Sequence, residues 1–213
     1  MSKYGKTHIP RPDLHDKILE VTMAMFQEQG IKQVKMDDIA KKLSISKRTL
    51  YEIFEDKETL LLKCINRQQQ MQEDYMRSLD LSQANVLEVV LRYYQYTIER
   101  IPPINPMFFE DMKKYPAVLA VLRKKRAQNF ASVVAYFNKG IEQGIFHPVV
   151  DMELFMRLLN LTFDKCMETD VYKVYSVEKV FRAVLFTNLR GIATEKGLKI
   201  LDDFIHNWKN KTD

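Results

Sequence analysis

Apolar positions along this chain recur at helical spacing almost throughout. Ile18, Thr22 and Phe26 stand at i, i+4 and i+8 behind a capping Asp13, and Gly30 closes the run, which predicts a first helix over 14–29. Two short helices, 36–43 and 47–54, are separated by Ser44-Ile45, with Ser46 capping the second. Asp56 caps a long helix over 57–79, and another over 85–100 stops at Pro102-Pro103. Asn105-Pro106 reads as a cap with proline in the first turn of a helix to residue 114. Pro116 opens a helix to 143 before Gly144, and the GxxxG spacing of Gly140 and Gly144 reads as helix ending. Strongly apolar helices follow over 151–170 and 176–190, then a last one over 198–208. No proline falls between Asp13 and Ile101 or after Pro148, and the alternating runs and tight turns that mark strands are missing. The pattern predicts an all-α protein.

Residues 36–54 carry the most specific signal. In a helix-turn-helix two short helices cross steeply, so their inward positions are tightly constrained. Ile39, Leu43, Ile45, Leu50 and Ile53 are apolar where such helices face each other, and Ala40 is small at the close approach. At about 100° per residue, with Lys47 at zero, Tyr51 lies near 40° and Arg48 near 100°. Leu50, Ile53 and Phe54 fall on the opposite side, between about 240° and 340°. The second helix thus buries one face and presents Lys47, Arg48 and Tyr51 from its N-terminal half, the end that a recognition helix places in the major groove.

The run from Ile18 to Gly30 and the stretch DDIAKKLSISKRTLYEIFEDKETLL resemble the DNA-binding domain of the tetracycline-repressor-like (TetR) family of transcriptional regulators. The resemblance covers about residues 14–65. It implies that Ser46–Phe54 enters the major groove, with Lys47, Arg48 and Thr49 at groove-facing positions. It likewise implies that Tyr51 and Lys57 contact phosphates, and a lysine at a helix N-terminus suits that task. Two positions depart from the family pattern. Ser44 stands where a glycine is usual at the turn, and Lys35 where a threonine often caps the first motif helix. A left-handed turn costs serine roughly 1 kcal/mol relative to glycine. Lys35 forgoes the cap and brings a cation toward the backbone of DNA.

Composition changes this picture little. Of 213 residues, 46% are hydrophobic and 29% charged, with no apolar run of membrane-spanning length and no secretory signal at the N-terminus. The expectation is a cytoplasmic protein. Net charge is +5, divided as 12 basic against 10 acidic residues over 1–65 and 21 against 18 beyond, so DNA binding has to rest on the motif and not on a basic tail. Cys64 and Cys166 lack any metal or disulfide-framework spacing, and Cys166 reads as a buried packing residue. His8, His15, His147 and His206 are scattered, and neither a phosphate loop nor a nucleophile elbow occurs. No enzyme activity, cofactor or metal is expected.

Two domains are predicted: a helix-turn-helix DNA-binding domain over 1–56, and a helical bundle over 57–213 for ligand binding and dimerisation. The resemblance implies a homodimer on a palindromic double-stranded operator and a repressor released by a small-molecule effector. Leu154, Phe155, Leu158, Leu161, Val180, Val184 and Leu185 are the candidate dimer interface. Tyr93, Tyr96, Phe108, Phe109, Met112, Phe130, Phe137 and Phe163, spread over several helices, are candidates to line a pocket for an apolar or aromatic effector. The other reading is a helical ligand-binding or scaffold protein whose motif reads no specific DNA sequence.

Overall fold

The structure is a computed structural model that describes residues 11–79 and 84–212. Among these residues it is all-helical: α1 Arg11–Gln29, α2 Met36–Lys42, α3 Lys47–Ile53, α4 Lys57–Ser78, α5 Val86–Arg100, α6 Pro106–Met112, α7 Pro116–Glu142, α8 Met152–Glu168, α9 Val171–Val174, α10 Val177–Ile192 and α11 Glu195–Thr212.

The caps explain most of these boundaries. Side-chain oxygens of Ser46, Asp56, Asn85, Asn105, Asp151 and Ser176 each accept a backbone N–H from the first turn they precede. Asn85 and Glu88 form a reciprocal capping box, at 3.0 and 3.2 Å. Four expectations are corrected. Helix α1 begins at Arg11, so Asp13 lies inside it. Helix α6 ends at Met112, because Lys114 and Tyr115 turn tightly onto the carbonyls of Asp111 and Met112 before Pro116. Helix α11 begins at Glu195, three residues early, with the Thr194 hydroxyl accepting from the Gly197 N–H at 3.3 Å. Gly144, with φ +69°, ends α7, whereas Gly140 lies inside the helix, where an added Cβ would meet the Phe146 ring at 2.5 Å.

Two hydrophobic cores organise the chain. The first joins α1–α3 and the start of α4 around Ile18, Phe26, Ile39, Leu50 and Phe54. It also takes in Phe108, Phe109 and Met112 of α6 and Val118 of α7. The second joins α5, the C-terminal part of α7, α8, α10 and α11 around Tyr94, Phe137, Phe146 and Leu201. Helix α4 leaves the first core after Ile65 and continues along α5; its 22 residues span about 33 Å. No helix among the described residues is long and apolar enough to cross a membrane.

Candidate functional site

The helix-turn-helix is built on one strained residue. Ser44 has φ +55°, a left-handed conformation found in no other non-glycine among the described residues. It closes α2 with a paired bond pattern: Ile45 N–H donates to the Ala40 carbonyl at 3.0 Å and Ser44 N–H to the Lys41 carbonyl at 3.1 Å. This reversal aims the chain into Ser46, whose Oγ accepts from the Thr49 N–H at 3.0 Å and shares a hydrogen bond with the Thr49 hydroxyl at 2.8 Å. At the other end of α2, the Asp38 carboxylate accepts the Lys35 N–H at 3.0 Å, so the helix is capped from within although Lys35 offers no acceptor.

Helix α3 buries Leu50 and leaves Lys47, Arg48 and Tyr51 exposed, as its period predicts. Ile53 departs from expectation: it is exposed, and Phe54 packs in its place. Helix α3 ends at Ile53 and Phe54 takes extended dihedrals, which swing its ring into the core beside His15, 5.1 Å between ring centroids. The outward cations have partners that the sequence did not flag. Lys47 pairs with Asp37, and the Arg48 Nε donates to Glu52 at 2.7 Å, one helical turn on. Lys35 is exposed on the same motif.

Lys57 is placed differently from a free surface lysine. It is half-buried, its ammonium lies 5.9 Å from the Phe26 ring, and it donates to the Lys32 carbonyl at 3.3 Å. Burial lowers its pKa, against the pull of Asp111 and Asp38. On the other side of the Lys32 Cα, the Lys32 N–H is donated to Asp111 of α6 at 2.7 Å. Asp111 is buried, and its second oxygen accepts from Lys114 at 2.9 Å. Burial works to raise its pKa, but the Lys32 and Lys114 hydrogen bonds and the nearby lysine charges outweigh it and leave the carboxyl below its ordinary value. Asn105 adds a second seam, its N–H donating to the Gln27 carbonyl at 2.7 Å and its amide to that of Glu28 at 3.2 Å. Gly30, with φ +87°, leaves room for Met107, to which a Cβ would lie only 3.0 Å away.

Beyond the seam, α4, α5, α7, α8 and α10 enclose a cavity of about 820 Å³. Of the eight predicted pocket residues it gathers Tyr93, Phe130 and Phe137. The other five lie elsewhere: Phe108, Phe109 and Met112 fill the first core. Tyr96 stacks on Tyr75 at 3.7 Å with Arg100 over its ring, and Phe163 stacks on Phe181 at 4.9 Å. Sequence reasoning missed the contribution of α4, including Gln69, Gln72 and Met76, and of Val133 and Tyr136 in α7. The Tyr93 hydroxyl donates to Gln72 at 3.1 Å. Tyr94 forms part of the wall; burial pushes its phenol up to about 12, and among the described residues its enclosed hydroxyl has no hydrogen-bond partner.

The candidate dimer residues divide in two. Leu154, Leu158 and Leu161 form an exposed stripe on α8, at 53%, 54% and 62% exposure, with Phe155 half-buried beside it. On α10, Val180 and Leu185 are buried within their own subunit and Val184 is half-buried. Among the thiols, Cys64 is buried and donates to the Leu19 carbonyl at 3.4 Å, with burial raising its pKa to about 12. Cys166 is only half-buried, short of the packing role expected of it. His8 lies outside the described residues, and no three metal-binding side chains gather among those described.

Residues 18–64 match the family model of bacterial regulatory proteins of the tetR family, the same span that builds the head. Over this span the chain is similar to the DNA-binding domain of the TetR family. The curated relative KstR2 of Mycobacterium tuberculosis, an HTH-type transcriptional repressor, is 26% identical over 151 residues, 68% of this chain and 76% of its own length. The solved KstR2 structure superposes with a TM-score of 0.58 at 24% identity, covering 88% of this chain and 98% of that one. A TetR regulator from Haloarcula marismortui matches with a TM-score of 0.67 at 17% identity, over 86% and 100% of the two chains. A transcriptional regulator from Saccharomonospora viridis, solved with choline, matches with a TM-score of 0.66 at 17% identity, over 87% and 100%. Like its TetR relatives, this protein is a DNA-binding transcriptional regulator.

Proposed function

We propose that the protein is a cytoplasmic, homodimeric repressor without catalytic activity, which leaves a palindromic operator when a small molecule fills the cavity. The single observation that carries this reading is the double anchoring of the Lys32 backbone. Its N–H is held by Asp111 of α6 and its carbonyl by Lys57 at the foot of α4. Residues 1–56 act as the DNA-binding unit and 57–213 as the ligand and dimer unit. Lys47, Arg48 and Thr49 read bases, while Lys35, Ser46, Tyr51 and Lys57 hold the DNA backbone. One α3 reads only a few base pairs, so two heads about 34–36 Å apart, one turn of DNA, are needed for a specific site. The exposed Leu154, Leu158 and Leu161 stripe supports dimerisation through α8.

An effector that favours a dimer shape with misplaced heads lowers operator affinity, and by linkage the operator lowers effector affinity equally. Tyr93, Phe130 and Phe137 among the cavity residues suit an apolar effector. KstR2 is described as a ketosteroid transcriptional regulator, which agrees with that class. Selection of bound duplexes from random DNA tests the reading. Enrichment of an inverted repeat is expected; recovery of single half-sites or of no preferred sequence overturns it.

A further inference from the structure

We infer that Arg48 reads a guanine in each half-site and that Glu52 is its positioning residue, holding the guanidinium by Nε and leaving both terminal nitrogens to donate. This rests on reading α3 as the helix that enters the major groove. The three candidate base readers are not equivalent. The Thr49 hydroxyl is already shared with Ser46 Oγ at 2.8 Å, inside the cap of α3. The Lys47 ammonium is paired with Asp37 of α2, and it is a swivelling point charge with no fixed donor geometry. Arg48 differs from both. Its hydrogen bond to Glu52, at 2.7 Å, uses Nε, and its side chain is still 88% exposed.

The tie decides which edge of the guanidinium is presented. With Nε occupied, the side-on edge is taken, and the fork that remains is the end-on pair Nη1 and Nη2. Two parallel donors need two neighbouring acceptors. In the major groove guanine offers them, N7 and O6. Adenine sets an amino donor beside its N7, cytosine presents an amino group, and thymine one carbonyl beside a methyl. A two-donor fork therefore selects guanine, by about five- to a hundredfold over the other bases. Glu52 lies one turn further along the outward side of α3, 58% exposed, so it reaches Arg48 from the surface. In water such a pair biases the arginine only about twofold. Between protein and DNA, where less water competes, the same hydrogen bond strengthens.

The test uses the full chain and duplexes that the wild type enriches from random DNA. Each half-site position is replaced by the other three bases, and the duplexes are ranked by competition at one salt concentration. One guanine per half-site should be preferred by about tenfold or more, and Arg48→Lys, which keeps the charge and loses the fork, should abolish that preference. Glu52→Met should cut the same preference by about two- to threefold. Ratios between bases cancel the lost negative charge, which shifts affinity for every duplex alike. Added to Arg48→Lys, Glu52→Met should change no ratio at that position, because it acts through Arg48. If the position that Arg48→Lys makes indifferent is not guanine in wild-type sites, the inference is overturned and the groove reading stands. A guanine preference left intact by Glu52→Met, or changed as much when Arg48 is already lysine, overturns the positioning role. Base preferences that survive Arg48→Lys at every position, or no enriched sequence at all, overturn Arg48 as a base reader and the inference with it.

Discussion

The buried carboxylate of Asp111 accepts the backbone N–H of Lys32 at 2.7 Å, across 79 residues of sequence. It joins the helix that ends the α5–α6 connection to the loop that opens the helix-turn-helix. Lys32 itself is exposed, so its side chain contributes nothing to this join; the peptide does. Any motion of α6 is therefore felt at the head through a hydrogen bond and the aromatic wedge of Phe108 and Phe109, and not through charge on Lys32.

Asp111→Ala is expected to destabilise the protein by about 1–3 kcal/mol, since it strands a donor that the fold has taken out of water. Urea melts followed by helical signal measure this. Asp111→Asn keeps one acceptor and should lose less. Because folding lowers the Asp111 pKa, its contribution is complete above the unfolded value, about 3.9, and fades as pH falls through the lower folded value. Wild-type stability should therefore fall more steeply with acid below about pH 4 than that of Asp111→Asn. Parallel pH profiles would contradict this account.

Ser44→Gly should raise stability by about 1 kcal/mol, because glycine adopts the left-handed turn without a clash and the exposed serine side chain gives up no burial. For a chain of this size that is a rise in melting temperature of roughly 2–4 °C. Ser44→Val, branched beside the backbone, should lower it. A glycine variant that melts below the wild type would show that the turn is held by something other than backbone conformation.

The head was legible in the sequence because its signals are local. The cap at Ser46, the departure at Ser44 and the outward face of Lys47, Arg48 and Tyr51 all depend on residues within one or two turns. Ile53 and Phe54 were not separable that way, since one residue of helix ending decides which of them turns inward. The cavity was less legible. Phe108, Phe109 and Met112 have the composition of pocket residues, but the protein has two cores, and aromatic content does not reveal which core a short helix enters. Asp111 was invisible for the same reason: its partner is a peptide group 79 positions away.

Base reading and backbone anchoring should separate by mutation. Arg48→Ala is expected to cost about 1–3 kcal/mol of operator binding and to relax preference at one position per half-site. Lys57→Gln should weaken all sequences alike and reduce the salt slope by about one unit per lost phosphate contact. Its bond to the Lys32 carbonyl means that a modest loss of stability will accompany the change, so binding is compared well below the melting temperature. Glu52→Gln removes the partner of Arg48 and a negative charge beside the groove-facing surface, and should tighten non-specific binding. Equal, sequence-independent losses in Arg48→Ala and Lys57→Gln would defeat this division of roles.

The α8 stripe can be tested without disturbing the subunit. Leu154, Leu158 and Leu161 are more than half exposed, so in an isolated chain Leu158→Glu gives up little packing. In a dimer the same change puts a carboxylate into a desolvated apolar seam, a far larger penalty. Truncating Leu158 to alanine should cost about 1–2 kcal/mol of association, near tenfold in the dissociation constant, and the glutamate more. Sedimentation should then show monomers at concentrations where the wild type is dimeric, with the helical signal and thermal melt nearly intact. Operator binding should fall with it, because a single head loses the second half-site. Val180→Glu and Leu185→Glu serve as the contrast: both residues are buried within one chain, so these variants should unfold it and not merely separate it. A Leu158→Glu protein that remains dimeric would move the interface off this stripe and onto another face of the bundle.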